Sequence, residues 1–520
     1  MRRAVLVAIA VVMAGAVWGV GVVVRGAGDE GTAAKGGKVD EGRKAKALEL
    51  VKKAGMTAED DGDEQLIREN VGVVAAALGD EALLKSAVDD EPNRWRKIQI
   101  YTSAAHEQAA RGNVAGAKKS VAAAVALLGN ASTIAPAGEK FQQLIQLQNV
   151  AGAQLDIGDL RGAEATAARM RAGVMQAGVF AEIGSAETKA GDVAAAGGDF
   201  DRAENIFGAV SAEDRIDDWD VLASEEAGAS LDRAKKLLAR MKDPKGQAEA
   251  AARIAGELAQ GDQTTDAKSF IEAALASLRR VGGDADAAPE RAVAEESLAE
   301  TYAALGDKKT GMEMLGKAEA DVAAEKIRPS ALELLILAIA QDRLGRTDES
   351  DRTLTKVFDA LPSDDRGDRQ RALWQMSYLL AACGNVRDAT NFVDKARAGK
   401  LTDDDVADAC ATARLLAESD GEDAKLDWIE RLGEQAPAGM KRELYAAAAR
   451  GMVESGENPK VRRFEAMAAA GDAEAMARLG AIFDAGLGVA KDMTAARSWY
   501  QKAAGAGDME AADWLKAHPE

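Results

Sequence analysis

A glycine followed by Asp, Asn or Arg, with a small residue five positions later, recurs along this chain. It occurs at GNVAGA (112–117), GDLRGA (158–163), GDFDRA (198–203), GDKKTG (306–311), GRTDES (345–350) and GNVRDA (384–389). The turn glycines are Gly112, Gly158, Gly198, Gly306, Gly345 and Gly384. The fifth residues are Ala117, Ala163, Ala203, Gly311, Ser350 and Ala389. Seven residues before each glycine stand Ala105, Ala151, Gly191, Ala299, Ala338 and Ser377, all small again.

Two antiparallel helices approach closely only where neither carries a bulky side chain. A small residue on each marks that crossing. The glycine supplies the left-handed residue that ends the first helix, and the Asp or Asn after it starts the second. Larger apolar residues flank each crossing, as Leu373, Met376, Leu380 and Val393 do in one unit and Leu334, Leu337 and Leu354 in another. The composition agrees. Of 520 residues 47% are apolar but only 4% aromatic, and 9 prolines interrupt the chain. Alanine dominates, the best helix former and the one that lets helices pack closest. A chain this long exceeds one core and is either several domains or a repeat array. The fold class expected is all-α, an α-solenoid of antiparallel helix pairs.

These offsets resemble the tetratricopeptide repeat, and Pro362, 17 residues after Gly345, falls where that family often has a proline. The spacing between successive turn glycines is uneven, at 46, 40, 108, 39 and 39 residues, against a family period of about 34. ASLDRA (229–234) and GDQTTDA (261–267) are weaker units that fill the long gap. Residues 464–514 resemble a Sel-like repeat. Leu479 and Gly480 fall on its first helix, Gly486-Leu487-Gly488-Val489 in its loop, and Ala496, Trp499, Tyr500 and Ala503 on its second helix. A dinucleotide-binding loop would need a strand before it and a third glycine, so Gly486 and Gly488 read as a corner between helices. Trp499 and Tyr500 are adjacent and cannot share one helix face. One is expected between the helices and the other against the neighbouring unit. The resemblance implies a surface that binds other proteins or peptides.

The N-terminus reads MRRAVLVAIAVVMAGAVWGVGVVVRGAGDE. Arg2 and Arg3 precede an uncharged run from Ala4 to Val24, which at ~1.5 Å per residue spans ~31 Å, enough for a hydrocarbon core. The arginines would hold that end in the cytoplasm, placing the body on the far side, the periplasm or its equivalent. A cleaved signal peptide competes, with Ala14-Gly15-Ala16 as its cleavage site. Gly15 and Gly19 form a small-xxx-small pair that could seat a homodimer. The expected divisions are a signal anchor or transmembrane helix (1–25), a flexible linker (26–44), a degenerate tetratricopeptide-like solenoid (45–455) and the Sel-like unit (460–520).

A net charge of −20 argues against nucleic acid, which needs a basic face. The two cysteines, Cys383 and Cys410, and two histidines, His106 and His518, make no metal spacing and no Gly-x-Ser-x-Gly elbow. No catalytic, cofactor-binding or metal residue is therefore assigned. The function expected is a membrane-tethered interaction scaffold of the envelope. The alternative is an exported enzyme or envelope-maintenance factor using an unrecognised acidic site.

Overall fold

A computed structural model describes residues 41–518 except 57–61, 90, 130–139, 211–218, 228, 261–262, 282–287, 325–329, 362–365, 383–385, 397–405, 420–437, 454–467, 469–472 and 486–492. Cys383, Gly384, Pro362, Gly486 and Gly488 therefore lie outside the described residues, as do the expected anchor (1–25) with Gly15 and Gly19. No helix among the described residues is long and apolar enough to cross a membrane. Among them there are helices and no strand.

The first helix, α1 (Glu41–Ala54), already begins at residue 41, so residues 41–44 belong to the folded body and not to the linker. Hairpins follow in order. They are α2 (Gly62–Leu78) with α3 (Glu81–Asp89), α4 (Arg94–Ala110) with α5 (Val114–Leu128), and α6 (Lys140–Asp156) with α7 (Leu160–Ala167). Next come α8 (Val174–Lys189) with α9 (Val193–Ala209), α10 (Trp219–Ala227) with α11 (Leu231–Leu238), and α12 (Pro244–Gln260) with α13 (Thr264–Val281). Then α14 (Ala288–Ala304) pairs with α15 (Lys308–Ala324), α16 (Ala331–Arg343) with α17 (Thr347–Ala360), and α18 (Arg366–Ala382) with α19 (Val386–Ala396). Helices α20 (Val406–Ser419) and α21 (Ala438–Val453) complete the body. A C-terminal group follows, α22 (Ala473–Ala485), α23 (Met493–Gly505) and α24 (Met509–Ala517).

Two residues make each tight turn. Gly112 sits at φ 72° and donates to Ala109 O at 2.8 Å. The next N–H, of Asn113, reaches back to Gln108 O at 2.8 Å. These are the two bonds of a Schellman ending. The Asn113 side chain then accepts from Gly116 N at 3.0 Å, so one residue closes α4 and caps α5. Gly158-Asp159 and Gly306-Asp307 repeat this arrangement, with capping bonds of 3.0 and 3.1 Å.

One turn differs from the sequence reading. Gly198 is not a turn but a residue inside α9. The turn is Gly191, at φ 82°, and Asp192 caps α9 by accepting from Ala195 N at 3.1 Å. Gly191 and Gly198 are both followed by Asp and both have small residues seven before and five after, so the motif alone does not separate them. Ala203, fully buried, lies on α9 about two turns beyond the crossing residue Ala196.

The crossings bring backbone against backbone. A Cβ on Gly311 would stand 2.8 Å from Ala299 O. In the next pair the Ser350 hydroxyl donates to Ala338 O at 2.7 Å. In α8–α9 a Cβ on Gly184 would meet Ala196 O at 3.1 Å. Each of these pairs stands seven before and five after its turn glycine.

The array closes on itself. Each hairpin's first helix packs on the first helix of the next, from α2 through α4, α6, α8, α10, α12, α14, α16 and α18 to α20 and α21, and α21 then packs on α2. α1 packs against α21 as its antiparallel partner. The N-terminal helix thus supplies the second member of the last pair. It buries Ala47, Leu50 and Ala54, a stripe at helical spacing. α21 is covered on three sides by α1, α2 and α20, and residues 444–449 (LYAAAA) are all buried. Alanine suits a helix with that many close neighbours, and on Gly451 a Cβ would stand 2.1 Å from Arg414 O.

Reciprocal arginines fix the seam. Arg43, in the first turn of α1, donates to Met452 O at 2.8 Å and Gly451 O at 3.1 Å at the end of α21. Arg442, near the start of α21, donates to Ala54 O at 2.8 Å and Gly55 O at 3.0 Å at the end of α1. Arg111 reaches Val453 O from the end of α4. Carbonyls at a helix C-terminus lack intrahelical donors and carry the negative end of the helix dipole, so each cation satisfies bonds that the helix cannot.

One large apolar core runs from Ala47 to Val453 around this ring, with a small satellite of Ala105, Val121 and Ala153 beside it. The C-terminal group has two small cores of its own.

Candidate interaction surface

In a closed array the first helices form the inner wall and the second helices the outer one. With 11 such first helices among the described residues, at the ~9 Å spacing of packed helices, the axes trace a circle ~30 Å across. That leaves an opening of ~20 Å between helix surfaces, wider than one helix.

A polar band laces part of the inner wall. Glu69 on α2 accepts from Ser103 Oγ on α4 at 3.0 Å and from Gln99 Nε2 at 3.4 Å. Gln99 Oε1 in turn accepts from Asn149 Nδ2 at 2.6 Å and Gln146 Nε2 at 3.2 Å, both on α6. Across the seam, Arg450 on α21 stands 3.7 Å from Glu69 and donates to Asn70 at 3.4 Å. His106 on α4 bonds Asp156 of α6. Farther round, Glu257 of α12 accepts from Ser224 on α10 and from Arg253 at 3.0 Å. All these bonds run between or along first helices, on the sides turned away from their hairpin partners. The sequence reading assigned none of these residues. Their signal was spacing: Gln99, Ser103 and His106 are polar at helical intervals along α4.

The residues singled out in the sequence lie elsewhere, in the joints. Ala117, Ala163, Ala389, Ala496 and Ala503 are fully buried, as is Leu479. Gly345, at φ 82°, ends α16, and Arg346 follows it with no side-chain cap. In the C-terminal group Tyr500 covers Gly480, where a Cβ would stand 2.8 Å from the ring. Tyr500 also stacks on Trp514 of α24 at 4.2 Å. Trp499 turns the other way, against the Leu479–Ile482 core, with Lys502 over its ring at 3.9 Å.

Cys410 is buried, and burial followed by Glu443 raises its thiol well above the ordinary range; it is no ready nucleophile. No group of three or more His, Cys, Asp or Glu among the described residues could hold a metal ion. Buried carboxyls are frequent. Burial, then Asp199, pushes Glu187 up to about 7. Burial also pushes Glu226 up to about 7, against the opposing bond from Arg233. Glu295 reaches about 7 through burial and then Asp321.

No protein-family model matches this chain, and no curated protein does. Among solved structures it is similar to a circular tandem repeat protein described as having a novel repeat topology and enhanced subunit contact surfaces. The identity is 13% over 91% of this chain and 96% of that one, with a TM-score of 0.19.

Proposed function

We propose that this chain is a non-catalytic protein-interaction scaffold of the tetratricopeptide and Sel-like kind, held beyond a membrane by its N-terminal segment. The observation that carries the reading is the continuous inner wall of first helices, with its band of Glu69, Gln99, Ser103, Gln146 and Asn149. Such a wall offers many weak polar contacts along a preformed surface, which is how helical arrays hold extended or helical partners. Tethering rests on the uncharged run from Ala4 to Val24 behind Arg2 and Arg3.

Photo-crosslinkers at Ser103 on the inner wall and at Lys119 on the outer second helices test the first claim in cells. A partner should be trapped from Ser103 and not from Lys119. Equal trapping from both would remove the inner wall as the binding surface. Fractionation tests the tether: the full chain should stay with membranes and a chain lacking residues 1–25 should not.

A further inference from the structure

The early turns share a polar pair that the small-residue motif does not include. Four residues before the turn glycine and eight after it, one turn nearer the glycine than the crossing on the first helix and one turn farther on the second, the side chains of the two helices meet. In α4–α5 these positions hold Gln108 and Ser120, and Ser120 Oγ donates to Gln108 Oε1 at 2.8 Å. In α6–α7 they hold Gln154 and Thr166, and the Thr166 hydroxyl donates to Gln154 Oε1 at 2.7 Å. Both are buried amide–hydroxyl bonds between neutral groups.

In α8–α9, counted from the true turn at Gly191, the same two positions hold Glu187 and Asp199. Both are buried, at 7% and 5% exposure. Two carboxylates in one buried joint cannot both ionise cheaply. If one keeps its proton, it donates to the other and reproduces the bond of the two preceding pairs. Glu187 Oε2 is buried without a hydrogen-bond partner, and after burial itself Asp199 is the strongest influence raising the Glu187 carboxyl. The surroundings add negative charge: Glu164 on α7 and Asp192, the cap of α9, both raise the Glu187 carboxyl through their charge. A cation among the described residues, Arg202 on α9, bonds Asp199 at 3.1 Å and stands 3.6 Å from Glu164. It compensates one carboxylate of the joint and leaves the other dependent on a proton.

We infer that Glu187 and Asp199 share a single proton in the folded protein, and that its release loosens the α8–α9 hairpin, giving the ring one joint that responds to pH. The sign follows from linkage. The folded joint holds its proton at a pH where the unfolded chain has lost it. Its contribution is full below the ordinary carboxyl value of 4.5 and is lost as pH rises to about 7. The joint is tight in mild acid and weak in mild base.

Hydrogen exchange on the full chain tests this. Corrected for intrinsic rates, amides of residues 184–200 should open about tenfold more often at pH 8 than at pH 6. Amides of the α6–α7 hairpin, with its neutral Gln154–Thr166 bond, should not change, and serve as the internal reference. The double substitution Glu187→Gln with Asp199→Thr copies that neutral pair and should abolish the pH response. If the double variant does not fold, Glu187→Gln alone suffices, because its amide donates without titrating; it too should give a flat profile. Equal pH responses in the native and substituted chains, or a flat response in the native chain, would overturn the inference.

Discussion

The seam between α1 and α21 and the joint between α8 and α9 are both antiparallel helix contacts, built with opposite electrostatics. At the seam, Arg43 and Arg442 each cap the carbonyl end of the other helix. At the joint, Glu187 meets Asp199. The difference follows from chain connectivity. α8 and α9 are joined through Gly191 and Asp192, so their register is fixed locally before any side chain acts. α1 and α21 are separated by nearly the whole body and must find each other across it. Closing so long a loop costs entropy, and only directional, charge-assisted bonds added to apolar burial set which turn meets which. A covalent turn tolerates a poor side-chain pair, whereas a seam does not.

The most severe way to break this contrast is to remove the clasp. A chain starting at residue 57 lacks α1 and exposes the apolar side of α21; the ring should open, with a clear rise in radius of gyration by small-angle scattering. An unchanged radius would mean that closure does not depend on α1. Next comes Gly451→Leu, which drives a side chain into the Arg414 carbonyl where a Cβ alone would stand 2.1 Å away. Overpacking of this kind should cost about 3 kcal/mol in denaturant titration. Gly316→Leu, inside α15 where nothing lies within 4 Å of a Cβ, should cost nothing or stabilise slightly. Equal costs would show that the close approach is not at the seam.

Arg442→Ala removes bonds to Ala54 O and Gly55 O and leaves two helix-end carbonyls to water. A loss of about 2 kcal/mol is expected, since hydrogen bonds from charged donors are worth about 1.5–3 kcal/mol. The last effect is spread over the body. Glu187, Glu226 and Glu295, all pushed up to about 7, each bind a proton more firmly folded than unfolded. Their stabilisation is full below 4.5 and lost through about 7. Thermal midpoints should therefore be higher at pH 5.5 than at pH 8, by a few degrees. A midpoint that rises with pH would contradict the burial of these carboxyls.

The hairpins were legible because their signals are local. Gly112-Asn113, Gly158-Asp159 and Gly306-Asp307 carry the left-handed residue and the cap side by side. The register at Gly198 was not, because Gly191 sits seven residues earlier with the same companions. Capping decides between them, through an Asp192 bond that the small-residue rule does not contain. The closure was illegible for a different reason. Arg43 and Arg442 bind backbone carbonyls, which every residue has, so no side-chain pattern marks their targets. The inner polar band fell between these cases: Gln99 and Ser103 are visible at helical spacing, but their partners Glu69 and Asn149 belong to other hairpins.

Closure itself can be measured with spin labels at positions 52 and 441, on α1 and α21, in a chain with both native cysteines replaced by alanine. The ring predicts one narrow, short distance distribution, set by two helices in contact and the label arms. An open array, adding ~9 Å for each packed pair, would give a long and broad distribution, and that result would contradict the closed ring.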